Sequence, residues 1–121
     1  MTQEEADALA HDWISAWNAH DLEAIVSHYA NDVAYASPLI ALVNGNGAGS
    51  ITGKDAVRAY FARALAAFPD LQFEYRMAFA GVDSLVIHYR SVRNLLAAEV
   101  FTIGTDGKFT RVQCHYRPNE A

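Results

Sequence analysis

The chain has one cysteine and three prolines among its 121 residues, only nine lysines and arginines, and no apolar run near the ~20 residues that span a bilayer. Each scarcity excludes something. One cysteine rules out an internal disulfide framework and a multi-cysteine zinc site, and it fits a reducing, cytoplasmic setting. With nine basic against fourteen acidic residues the net charge is −5, so the electrostatic footprint of a nucleic-acid or anionic-membrane binder is missing. The opening MTQEEADALAHD is acidic and lacks the basic flank and apolar core of a signal peptide. The length suits one domain, residues 1–121, large enough to bury a core without disulfide or metal staples. What is abundant is alanine, with 22 residues. Alanine supplies apolar surface without bulk, and Ala62, Ala64, Ala66, Ala67, Ala97 and Ala98 are expected where helix meets sheet, leaving an incompletely filled interior.

Three helices are predicted in the first half. Ala6, Leu9, Ala10, Trp13, Ile14 and Trp17 recur at the three-and-four spacing of one apolar helix face. After Asn18-Ala-His-Asp21, a shorter helix carries Leu22, Ile25, Val26 and Tyr29. A short strand from Val33 ends at Ser37, which Pro38 holds extended. Residues 39–53, with four glycines, read as a loop at the mouth of the fold; without a lysine after the last glycine they are not a phosphate-binding loop. The third helix opens on a capping-box pattern, Thr52 to Asp55, and presents Val57, Tyr60, Phe61, Ala64, Leu65 and Phe68.

Beyond Pro69 the period changes to two. Leu71, Phe73, Tyr75, Met77 and Phe79 alternate with more polar residues; Leu85, Ile87 and Tyr89 alternate with Val86, His88 and Arg90. A third long strand covers Ala97–Ile103 and a last one Phe109–Arg117, joined by an Asp106-Gly107 turn. Helices followed by a meander define an α+β chain: a cone-shaped, curved antiparallel sheet packed on three N-terminal helices. His88 and His115 fall out of phase with the apolar face and belong with Glu74, Arg76, Arg90 and Arg111 on the outer side. His11, His20 and His28 have no histidine partner at helical spacing, so no metal site is expected. Cys114 is phased inward and reads as a small buried hydrophobe.

Several segments, in this order, carry a resemblance: Trp17-Asn-Ala-His-Asp-Leu-Glu-Ala-Ile-Val26, Tyr29-Ala-Asn-Asp-Val33, Ser37-Pro38, Gly53-Lys-Asp-Ala-Val57, Phe68-Pro-Asp-Leu71 and Asp106-Gly-Lys-Phe109. Together they resemble the SnoaL-like and ketosteroid isomerase-like proteins of the nuclear-transport-factor-2-like superfamily, over nearly the whole chain. The resemblance implies a homodimer. It also implies a site, since the isomerases of this family use an aspartate base with a tyrosine and a protonated aspartate as oxyanion donors. By motif, the base position is Ser37, the tyrosine position Trp13, and the protonated-acid position Glu99.

A serine hydroxyl without a neighbouring base does not abstract a proton beside a carbonyl, so the family's usual route is not expected. Glu99, flanked by Ala97, Ala98, Val100 and Phe101, is the expected acid, and Trp13 the second donor. Ser37, Tyr35, Tyr60, Tyr89, Cys114 and Tyr116 are the expected ligand-binding residues. The reading is a pocket for a small apolar organic molecule with no cofactor. Either it is an isomerase-, cyclase- or dehydratase-like enzyme on a polyketide, terpenoid or steroid-like substrate, or it is a non-catalytic binding or dimeric association module.

Overall fold

The computed structural model describes residues 1–45 and 47–120. Asn46, within the expected 39–53 loop, and Ala121 lie outside the described residues. The order is α1 (Gln3–Asn18), α2 (Leu22–Val26), β1 (Tyr29–Ala36), α3 (Leu39–Asn44), β2 (Ser50–Thr52), α4 (Lys54–Ala67), β3 (Glu74–Ala80), β4 (Ser84–Arg90), a 3-10 turn (Val92–Asn94), β5 (Leu95–Ile103) and β6 (Phe109–Pro118). One curved, unclosed sheet runs β2-β1-β6-β5-β4-β3, with the helices packed on it. The α+β cone expected from the sequence is the fold observed, with two differences. The pair β1–β6 is parallel, because the last strand returns beside the first; the other pairs are antiparallel. And α3 is an additional helix.

Local chemistry explains most boundaries. Thr2 and Glu5 form a reciprocal cap at the start of α1, each side chain accepting the other's backbone N–H at 3.0 Å. The buried face of α1 is Ala6, Ala10, Trp13, Ile14 and Trp17, as the spacing predicts, with Ala16 added. Asn18, just at its end, does more than stop the helix. Its amide donates to the Phe73 carbonyl at 2.9 Å and accepts the Phe73 N–H at 2.6 Å, while His20 Nε2 bonds the Leu71 carbonyl at 2.9 Å. Two residues of the Trp17–Val26 segment therefore fasten the segment entering β3 to the end of α1.

Three local expectations are corrected. Helix α2 ends at Val26, and Tyr29 opens β1, where it is paired with Phe109. The expected loop holds α3, whose start is fixed by Ser37 accepting the Leu39 N–H, and the short strand β2. Helix α4 has no side-chain cap: Thr52 is in β2, and Gly53 turns the chain at φ 96°, a conformation that favours glycine. The alanine expectation holds in part. Ala64 and Ala97 are buried, whereas Ala62, Ala66 and Ala67 lie on the solvent side of α4 and Ala98 is half-buried on the outer sheet face.

On β4 and β5 the core follows the period-two pattern; on β3 it does not, because a register shift between Tyr75 and Met77 turns Ala78 inward and leaves Met77 and Phe79, expected on the buried face, exposed. Leu85, Ile87 and Tyr89 of β4 and Ala97, Glu99 and Phe101 of β5 point inward. Trp13 sits at the centre, with ring centroids 5.3 Å from both Tyr89 and Phe101, edge to face, and 5.7 Å from Phe73, stacked. Burying such side chains stabilises the fold by roughly 2–3 kcal/mol each.

Candidate functional site

Inside the sheet's concave face lies a cavity of about 40 Å³. A single water needs roughly 10–15 Å³ by the same measure, so the space admits a few water-sized groups. Its inner wall is aromatic and polar: Trp13, Trp17, Tyr35, Tyr60, Tyr89 and Tyr116 surround Glu99. Half-buried Leu39 and Val43 of α3, Phe68 at the end of α4, and Val92 form the outer part, where the cavity nears solvent. In this conformation the space takes the end of an organic molecule, not a whole polycycle.

Glu99 is the group that sets this cavity apart from the rest of the core. It is 2% exposed, inward on the central strand β5 between Ala97 and Phe101. The Tyr89 hydroxyl donates to Oε1 at 2.6 Å; among the described residues Oε2 has no partner in bonding geometry, although the Cys114 thiol approaches the carboxyl. Burial pushes its carboxyl from 4.5 to about 7, with Tyr89 and then Cys114 partly opposing the rise. Near neutral pH the group is thus divided between acid and carboxylate and can either give or take a proton. The surrounding phenols are held protonated: burial drives Tyr35, Tyr89 and Tyr116 well above the usual tyrosine range and raises Tyr60 as well.

The structure distributes the expected site residues unevenly. Glu99, Trp13, Tyr35, Tyr60, Tyr89 and Tyr116 line the cavity; Ser37 and Cys114 do not. Ser37 is 3% exposed; its Oγ accepts the Leu39 N–H at 3.2 Å, and its hydroxyl also lies against Tyr60, Tyr116 and Cys114, so it sits just behind the tyrosines of the cavity wall. Cys114 faces Glu99 across the β5–β6 pair and directs its thiol at the Tyr35 hydroxyl, 3.4 Å away. Burial pushes that thiol far above the usual range, so it is not a thiolate.

Trp13 reaches the cavity with its ring only. Its Nε1 donates to the Tyr29 hydroxyl at 3.0 Å, which removes it from the role of ligand donor. The corresponding group one turn later is different. Trp17 also lines the cavity, and its Nε1 is buried without a hydrogen-bond partner, approaching Tyr29 without reaching bonding geometry. Spacing alone makes Trp17 a core residue and does not separate the two tryptophans.

The outer face agrees with the phase of the sequence. His88 and His115 stand in one row across β4, β5 and β6, separated by Ala98, each holding a backbone carbonyl through Nδ1. Among the described residues, no group of three histidine, cysteine, aspartate or glutamate side chains is arranged to hold a metal ion. Among them, too, no helix is long and apolar enough to cross a membrane.

A curved sheet wrapped on helices, with one buried acid in an aromatic cavity, defines the class of cone-fold pocket proteins. The SnoaL-like domain family matches residues 10–112, and the chain belongs to it. No curated protein matches the chain. A SnoaL-like protein of unknown function from Burkholderia thailandensis E264 is 45% identical, with 97% of this chain and 98% of that one covered and a TM-score of 0.89. Two more distant structures share the fold. One is a candidate ketosteroid isomerase from Kribbella flavida DSM 17836, at 20% identity, coverage of 98% and 82%, and TM-score 0.73. The other is SalBIII, an epoxide hydrolase/cyclase-like enzyme of pyran ring formation in the polyether salinomycin, at 19% identity, coverage of 94% and 92%, and TM-score 0.75.

Proposed function

We propose that this protein binds a small organic molecule through a carbonyl or hydroxyl and acts on it by proton transfer, as an isomerase- or cyclase-like enzyme with Glu99 as its acid–base group. The observation that carries the reading is the Oε2 atom of Glu99: buried, without a partner, on a residue that lines the cavity. A buried polar atom of this kind costs about 1–3 kcal/mol and calls for a partner. Tyr89 is a positioning residue, since its hydrogen bond holds one carboxyl oxygen and leaves the other for the ligand. The ring walls supply apolar contact, and with few polar groups present the ligand's single polar handle decides its orientation. The neighbours named above as an isomerase and a cyclase-like enzyme fit such chemistry; the polyketide, terpenoid or steroid-like character of the substrate is the finer part of the proposal.

The reading is tested by hydrogen–deuterium exchange at the α-carbons of cyclopentanone in D2O, followed by NMR. The wild-type protein should accelerate exchange over buffer, and Glu99→Gln should reduce the acceleration by about 100-fold, a typical acid–base contribution. Equal rates for wild type and Glu99→Gln would falsify the catalytic role.

A second reading, binding without turnover, is favoured by Ser37. At the position where the family's isomerases carry their base, this chain has a serine that does not line the cavity and whose Oγ accepts the Leu39 N–H. In that case a ligand is retained and no exchange is accelerated. As assembly we propose a homodimer through the outer sheet face. There exposed Met77 and Phe79 adjoin half-buried Val86, Ala98 and Val100, and the rim carries both Glu74 and Arg117, as a self-complementary surface requires. Native mass spectrometry reads both the subunit number and any retained molecule.

A further inference from the structure

The cavity does not end at its mouth. A surface groove of about 320 Å³ lies against it, and Phe68, Leu71, Ser91 and Val92 line both spaces. The two spaces therefore adjoin, and two of the residues between them, Phe68 and Val92, are half-buried and apolar. The groove's chemistry is unlike the cavity's. One wall carries Arg90, Arg93 and Asn94, the other Asp70 and Gln72.

Most of these polar groups are already engaged. Gln72 donates to the Asn18 carbonyl at 3.1 Å, Asn94 exchanges bonds with Asn119, and Arg90 lies 3.8 Å from Glu74. Among the described residues, Arg93 has no ion pair or hydrogen bond from its guanidinium, and Asp70 on the facing wall has no ion pair. The backbone presents Arg93 in a fixed way. Arg93 and Asn94 both take left-handed geometry, at φ 58° and 55°, which is unfavourable for such residues by about 1–2 kcal/mol each. The turn is held there by Ser91 N–H to the Leu95 carbonyl at 2.7 Å and by the clasp between Asn94 and Asn119.

We infer that cavity and groove form one elongated site for an amphiphilic monoanion, a slender apolar body carrying a carboxylate, with Arg93 as the residue that receives the anionic end. The inference rests on the pocket reading above and names its ligand class. Arg93 is the groove's guanidinium without an ion pair, and Arg90, shared at 3.8 Å with Glu74 outside the lining, adds part of a second positive charge, which together favour an anion over a cation at Arg93. Asp70 disfavours a doubly charged head such as a phosphate monoester, because the second charge would face a carboxylate across the groove. A guanidinium suits a carboxylate through paired N–H donors. The apolar body passes between Phe68 and Val92, and its inner end, bearing the carbonyl or hydroxyl of the reading above, meets Glu99 within the aromatic wall.

Trp13 and Trp17 are the chain's only tryptophans, and both line the cavity, so their fluorescence reports occupancy of the inner space alone. Octanoate, octanol and octylammonium are titrated against wild type, Arg93→Ala, Arg93→Lys and Asp70→Asn. Wild type should bind octanoate about tenfold more tightly than octanol, and octylammonium least. Arg93→Ala should abolish the octanoate advantage while leaving octanol affinity unchanged, which also shows that the variant is folded. Arg93→Lys should keep most of the advantage, and Asp70→Asn should increase octanoate affinity about two- to threefold. Equal binding of octanoate and octanol by wild type, or an octanoate preference that survives Arg93→Ala, overturns the inference and leaves the pocket standing. No change of tryptophan emission with any of the three overturns inference and pocket together. An intact octanoate preference without acceleration of ketone exchange removes only the catalytic role of Glu99.

Discussion

Two ends of one interior are built on the same strands and behave differently. Toward the β1–β6 start, Phe101, Phe109, Trp13 and Tyr29 interlock, with Phe101 4.6 Å from Phe109 and Tyr29 5.2 Å from Phe109 between ring centroids, and the space is full. Toward the mouth, two residues along β5 from Phe101, the inward position is Glu99, and four tyrosines surround a cavity instead of a packed layer. The first end supplies stability. The second gives some of it up, since a neutral hydrophobe at position 99 would leave no orphaned oxygen and no raised carboxyl. Alternation along a strand thus places a filled and a functional layer side by side.

Substitutions break the comparison in a graded way. Phe101→Ala should cost the most, about 3–5 kcal/mol in urea denaturation, because the packed end cannot collapse around the loss. Ala64→Leu, which puts bulk on the cavity wall, should cost about 1 kcal/mol, the low end for added bulk because the cavity takes up part of it, and abolish the tryptophan response to octanoate. If the two variants were equally unstable, the mouth end would be as tightly packed as the other and the distinction would fail.

The next effect is a pH dependence. Glu99 titrates near 4.5 when unfolded and at about 7 when folded, so the folded state keeps a proton that the unfolded state has already lost. The stability Glu99 contributes is therefore present below pH 4.5 and lost as pH rises through about 7, to a total of roughly 3 kcal/mol. Relative to wild type, Glu99→Gln should gain stability steadily from pH 5 to pH 8 in denaturant midpoints. A constant difference across that window would mean that Glu99 does not carry the proton.

A smaller effect separates the two indoles. Trp13→Phe removes a donor from the Tyr29 hydroxyl and should cost about 1–2 kcal/mol beyond the lost ring area. Trp17→Phe deletes an N–H that already lacks a partner and should cost less, while weakening binding of a ligand that accepts from it. Thermal melts of both variants, with and without cyclopentanone, whose carbonyl can accept from the free indole, distinguish the two roles.

These tryptophans also show where the sequence is legible and where it is not. Strand phase is written locally: alternation from Leu85 to Phe101 puts Tyr89 and Glu99 inward and His88 outward, as observed. Four of the six expected ligand-contacting residues, the tyrosines, follow from the same rule or from the α4 face and line the cavity. Ser37 and Cys114 are inward as well, but depth is not a periodic property, and they sit behind the lining. Trp13 rather than Trp17 is the expected donor only by the resemblance; the structure reverses the two because Tyr29, expected on the second helix, opens β1 and accepts the Trp13 N–H. Helix α3 was hidden because six residues between a proline and a glycine run are too few to show a period. The cap expected at Thr52 gave way to Gly53, whose positive φ lets the chain leave β2 and enter α4 directly. The exposed Ala62, Ala66 and Ala67 reflect helix preference on a solvent face, which composition alone does not distinguish from core.

The claim on which the rest depends is that Glu99 is a buried acid poised near neutrality. Its carboxyl 13C shift, followed by NMR from pH 4 to pH 9 and assigned by its absence in Glu99→Gln, tests that claim most directly. A single titration centred at about 7 is the expected result. A midpoint between about 4 and 5, the range of an ordinary solvated glutamate, would contradict it.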